Sequence, residues 1–135
     1  HVLILSGDHI YKMDYLKMLQ YHVEKNSDLS IASMYVPKDM ATRFGVLGID
    51  ENYKVHTFVE KPKSPPEIPD RPGESFVNMG IYIFSMKVLR DVLDEMRKKK
   101  LDRSDFGKNV IPYLIKNGYN VQSFRFEDEN KKQTK

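Results

Sequence analysis

Residues 1–15 read HVLILSGDHIYKMDY. Four apolar residues, Val2 to Leu5, run without a break into Ser6-Gly7-Asp8-His9. A short continuous apolar run bounded by a turn signal predicts a strand over 2–6, of the kind buried on both faces in parallel sheets. Asp14 then stands where a helix N-cap belongs, with Leu16, Leu19 and Val23 at helical spacing, so a helix is expected over about 15–25. Strand, acidic turn and helix in that order point to an α/β fold. In open α/β sheets ligands bind beyond the carboxyl ends of strands. Asp8 is therefore either a turn residue or a carboxylate placed to hold Mg²⁺ together with substrate phosphates.

The remaining chain extends the pattern. A strand is expected over 29–36, stopped by Pro37, and a short helical turn over 38–43. FGVLGID and KVHTFVE, separated by Glu51-Asn52-Tyr53, read as a β-hairpin. Residues 61–75, KPKSPPEIPDRPGES, contain five prolines and no periodicity, which predicts a long surface loop. SFVNMGIYIFS reads as a strand, residues 87–100 as an amphipathic helix, and YNVQSFRF as a final strand. A further helix is expected to about residue 117, capped by Ser104 or Asp105 and ended by Gly118. The order predicts a mixed, mostly parallel sheet between helices.

Composition removes several classes. The 135-residue chain has no cysteine, so disulfides and thiolate metal sites are excluded, which suits a reducing cytoplasm. No run approaches a membrane span, so no membrane partner is expected. The net charge of +3 depends on RKKKLDR at 97–103; without it the charge is −1. A local basic run at a helix end complements the helix dipole and does not call for nucleic acid. No GxxxxGK[ST], GxGxxG or GxSxG motif is present.

Three further motifs each carry two readings. Glu60-Lys61-Pro62 ends a strand. The lysine suits a phosphate and the glutamate sugar hydroxyls, or the two form a surface ion pair before the loop. Pro62 biases Lys61 toward an extended conformation. Asn78-Met79-Gly80 interrupts an apolar strand, as close approach of a ligand or as a β-bulge. Gly45, between Phe44 and Val46, invites the same pair of readings.

SGDHIYKMDY, FGVLGIDEN, FVEKP, NMGIYIF and DFGKNVIPYLI, in this order over residues 1–126, resemble the sugar-nucleotide pyrophosphorylases, and most closely the bacterial glucose-1-phosphate adenylyltransferase family. The resemblance implies a Rossmann-like, glycosyltransferase-A-like nucleotidyltransferase fold, here incomplete. It implies that Asp8 is the catalytic, Mg²⁺-binding aspartate. Gly45, Glu60, Lys61 and Asn78 fall on substrate-binding positions, with Lys61 on the phosphate of glucose 1-phosphate. ATP would be the second substrate. Asn78 departs from the family's usual serine; VNMGIY is closer to mannose-1-phosphate guanylyltransferases, an alternative alongside a non-catalytic regulatory paralogue. The family's glycine-rich nucleotide loop precedes GDHIY, and its second metal aspartate and C-terminal β-helix follow the residues present here. The chain is thus expected to be the central part of a catalytic domain, inactive alone, with 127–135 a flexible tail. The full-length family is typically an allosterically controlled homotetramer.

Overall fold

The computed structural model describes residues 1–5, 14–103 and 105–126. Six strands form one sheet: β1 (Val2–Leu5), β2 (Leu29–Pro37), β3 (Gly45–Ile49), β4 (Val55–Glu60), β5 (Glu74–Phe84) and β6 (Val121–Arg125). Three helices accompany it: α1 (Tyr15–Glu24), α2 (Met86–Lys98) and α3 (Ile111–Lys116). The expected α/β architecture holds. Asp8, the alternative cap Ser104 and the expected tail lie outside the described residues.

β5 organises the sheet. Along one edge it pairs with β2. Along the other it pairs first with β3, through Val77 and Phe76, and then with β1, through Ile81 to Phe84. The order is β4-β3-β5-β2-β6, with β1 beside the second half of β5. The expectation of a mostly parallel sheet is corrected here. Of the five described pairings only β2 with β6 is parallel. The misleading signal was burial on both faces, which reads alike in parallel strands and in a central antiparallel strand covered by helices.

Alternation along β5 sends successive side chains to opposite faces. Tyr82 and Phe84 point into the larger core with Leu29, Ile31, Leu47, Val92 of α2 and Leu114 of α3. Ile81 and Ile83 point into a smaller one with Met18 of α1 and Ala32. The sheet is therefore sandwiched, with α1 on one face and α2 and α3 on the other.

Asp14 caps α1 as expected, its Oδ1 accepting from Lys17 N at 3.2 Å. The buried side of α1 differs from the expectation. Met18 and His22 face inward, while Leu16 and Val23 are 62% and 57% exposed. Leu16, Leu19 and Tyr15 instead border an open groove of about 300 Å³ against Leu3 and Ile83. The hairpin is as read, turned by Asp50, whose Oδ1 accepts from Asn52 N and Lys54 N. The proline-rich stretch carries no helix or strand up to Glu74, and buried Ile68 anchors it in the larger core.

The last expected helix is divided. Residues Phe106–Val110 form a widened turn in which Val110 N reaches Asp105 O, and α3 follows. Pro112 lacks an N–H and its ring crowds the carbonyl four residues earlier, so a regular α-turn cannot run through this point. Asp105 is the cap, accepting from Lys108 N at 3.0 Å.

Candidate functional site

Glu60 ends β4 and lies opposite Gly45, the first residue of β3. Val46 pairs with Val77, so Gly45 sits at the Asn78 end of β5. Three of the residues singled out in the sequence thus meet at one end of the sheet. Gly45, Glu60 and Asn78 share the parity of Leu47, Phe58 and Phe76, and so belong to the face carrying the larger core.

Lys61 follows directly. Its N–H donates to Phe44 O at 2.9 Å, closing the β3–β4 ladder. Its φ is +48°, in the left-handed region, so the expected extended conformation is corrected. That hydrogen bond turns the backbone at a position where a non-glycine residue bears a cost of ~1 kcal/mol. Both Glu60 and Lys61 are exposed. Among the described residues neither takes part in an ion pair, which removes the surface-pair reading.

Asn78-Met79-Gly80 is a bulge. Ile31 faces Tyr82 and Ser33 faces Asn78, so β5 carries two more residues than β2 between the same points. Gly80 has φ +74°, and its N–H donates to Asn78 Oδ1 at 2.8 Å. The Asn78 amide donates to the Tyr82 hydroxyl at 2.7 Å. Asn78 therefore shapes the site through Tyr82 and the bulge.

The widened turn before α3 closes over this end of the sheet. The Phe106 ring stacks on Tyr82 with centroids 5.8 Å apart. A Cβ placed on Gly107 would lie 3.5 Å from both Glu60 Oε2 and Asp105 Oδ1, so the two carboxylates border the same glycine. Tyr82, Asp105, Phe106 and Gly107 were not singled out in the sequence. Asp105 read as a helix cap, which it is, and Tyr82 and Phe106 lay within quoted motifs with no role assigned; only the fold brings them to this end of the sheet.

The assembled end carries two carboxylates, one ammonium, an aromatic wall and an amide-held hydroxyl. Carboxylates accept hydrogen bonds from hydroxyls and an ammonium attracts a phosphate. This set suits a phosphorylated polyol. The described residues contain no group of three or more His, Cys, Asp or Glu able to hold a metal ion. Asp8, the expected metal ligand, lies outside the described residues. A larger surface depression of about 520 Å³, lined by Lys38, Thr42, Lys63 and Gly73, includes none of the candidate residues. No described helix is long and apolar enough to cross a membrane.

Comparison with known proteins identifies the family. Glucose-1-phosphate adenylyltransferase 2 of Vibrio vulnificus is 50% identical over 126 residues, covering 93% of this chain and 31% of the relative. Glucose-1-phosphate adenylyltransferase of Dechloromonas aromatica is 47% identical over 128 residues, covering 95% and 29%. That of Clostridium novyi is 46% identical over 126 residues, covering 93% and 31%. The chain spans about three-tenths of the length of these relatives. The nucleotidyl transferase model matches residues 1–130, nearly the whole sequence, and the chain belongs to that family.

Proposed function

We propose that this chain supplies the sugar-phosphate side of an enzyme that forms ADP-glucose and pyrophosphate from ATP and α-D-glucose 1-phosphate, for glycogen synthesis. The observation that carries the proposal is the end of β4. Glu60 and Lys61 stand there without an ion-pair partner among the described residues, and the Glu60 and Asp105 carboxylates border the same glycine, Gly107. The identity to named adenylyltransferases supports the choice of substrates.

In this reading Lys61 binds the phosphate of the sugar, and Glu60 and Asp105 accept hydrogen bonds from its hydroxyls. Gly45, lacking a side chain, leaves the Glu60 carboxylate its place. A phosphate oxygen of the sugar attacks the α-phosphorus of ATP as the bond to the β,γ-pyrophosphate breaks. Such displacement needs alignment and charge neutralisation more than a covalent catalyst. Lys61 reduces the repulsion between the two anions. Asp8 would hold Mg²⁺, which supplies neutralisation of phosphate charge. The parent enzyme would be a cytoplasmic, allosterically controlled homo-oligomer, with residues 1–126 forming the central part of its catalytic domain.

Lys61→Ala in the full-length protein tests the assignment. A raised KM for glucose 1-phosphate with ATP little affected is expected; a loss confined to ATP affinity overturns it. The isolated 135-residue chain should release no pyrophosphate from ATP, Mg²⁺ and glucose 1-phosphate, and measurable release would refute its incompleteness. VNMGIY keeps mannose 1-phosphate as the second reading, and competition between the two sugar phosphates separates them.

A further inference from the structure

The carboxylate of Glu60 has to be held in place, and no ion pair among the described residues holds it. An exposed glutamate at a strand end samples several rotamers. Shape is what remains to restrict it. Phe58 lies two residues before Glu60 on β4 and pairs with Leu47, so its ring can lean diagonally over Gly45. A Cβ on Gly45 would stand 2.6 Å from Phe58 Cζ and 2.9 Å from Glu60 Oε2, closer than carbon approaches either atom. The ring and the carboxylate therefore both occupy space that a side chain at residue 45 would fill.

Gly107 bounds the other side. A Cβ there would meet Phe58 Cε1 at 3.4 Å and Glu60 Oε2 at 3.5 Å, which is ordinary contact. The Asp105 carboxylate, also beside Gly107, repels Glu60 and discourages it from falling toward the turn. The two glycines thus differ: one lies under the ring, the other merely beside it.

We propose that Phe58 is a positioning residue of this site: its ring, seated where Gly45 has no side chain, fixes where the Glu60 carboxylate stands. The same ring touches the turn that carries Asp105, so it also sets the spacing between the two carboxylates. On this account Gly45 acts through Phe58 and Glu60, by lacking a Cβ. The proposal rests on the sugar-phosphate reading of the site.

The experiment is a size exchange in the full-length protein, with KM for glucose 1-phosphate and for ATP measured separately beside thermal stability. Gly45→Ala should raise the sugar-phosphate KM at least ~10-fold while ATP changes less than about twofold. Gly107→Ala should raise it less. Phe58→Leu alone, which removes the brace, should raise it several-fold, and this variant carries the test if Gly45→Ala does not fold. In Gly45→Ala/Phe58→Leu the smaller side chain admits the new methyl, so the effects should be less than multiplicative. Multiplicative effects, an unchanged sugar-phosphate KM in Phe58→Leu, or losses that follow thermal stability and strike both substrates alike overturn the proposal. Lys61→Ala separates the two levels. If it leaves the sugar-phosphate KM unchanged, the site reading fails; if it raises that KM while the exchange shows no coupling, only the positioning role fails.

Discussion

Two polar clusters in this molecule are built on opposite terms. At the end of β4, charged groups stand exposed with no ionic partner among the described residues. Under α1, His22 is 1% exposed and its polar neighbours are joined to one another. His22 Nδ1 lies 2.8 Å from Ser30 Oγ and Nε2 3.2 Å from Ser85 Oγ. Ser30 Oγ donates to Ser27 Oγ, Ser27 Oγ to Leu29 O, and Ser85 Oγ to Ser27 O. With the Ser30 proton turned toward Ser27, Nδ1 donates to Ser30 Oγ, and the Nε2 of the neutral ring accepts from Ser85 Oγ when that proton turns to it from Ser27 O. This cluster ties α1 to β2 and to the start of α2, and leaves nothing over for a ligand. Hydrogen-bonding capacity consumed internally marks architecture; capacity left open at a strand end marks recognition.

The contrast can be broken by substitution. His22→Ala leaves a cavity and strands buried hydroxyls, so unfolding in denaturant should show a loss of about 2–3 kcal/mol, with substrate KM values unmoved. A KM change without a stability loss would place His22 on the functional side. Lys61→Ala should do the reverse. Loss of a charged hydrogen bond corresponds to a rise of about 10- to 100-fold in KM for glucose 1-phosphate, with the melting temperature little changed, since alanine bears the same left-handed cost as lysine.

A pH titration sharpens the same division. Burial, against a smaller pull from Asp28, holds the His22 imidazole below its ordinary value of 6.5. The unfolded chain therefore takes up this proton first. The stability contributed by neutral His22 is complete above about pH 6.5 and is lost as pH falls below it. Melting temperature should decline between pH 7 and 5, and His22→Leu should flatten that decline. A profile identical in the two proteins would remove His22 as its source.

The smallest effect belongs to Asn78, which stands between the two types. Its amide is occupied by Tyr82 and Gly80, and the Tyr82 ring it holds stacks on Phe106 of the turn that carries Asp105. Asn78→Ser shortens the reach to Tyr82 and should shift the ratio of glucose 1-phosphate to mannose 1-phosphate use a few-fold toward glucose. An unchanged ratio denies Asn78 a part in sugar choice.

The sequence revealed elements better than their arrangement. Asp14, the Glu51-Asn52-Tyr53 turn and the five prolines of 61–75 are local signals, and each produced the expected structure. Strand direction is not local. β5 is apolar on both faces whether its neighbours run with it or against it. The inward side of α1 depends on where the sheet lies, so Leu16 and Val23 satisfied a helical period and still face out. The site followed the same rule. Glu60, Lys61 and Gly45 could be read from motifs at strand ends, whereas Asp105 and Phe106 join them only through the wide turn that precedes Pro112.

The pairing of β1 with β5 has a consequence for how the protein is made. Leu3 faces Ile83, eighty positions further along the chain. At ~5–20 residues per second of synthesis, the partner strand leaves the ribosome about 4–16 seconds after β1 does. For that interval Val-Leu-Ile-Leu lacks the partner strand it has among the described residues. Together with the outward Leu16 and Val23 of α1 it forms the sort of sticky nascent segment that holdase chaperones bind. β1 is thus made well before the strand that places it among the described residues.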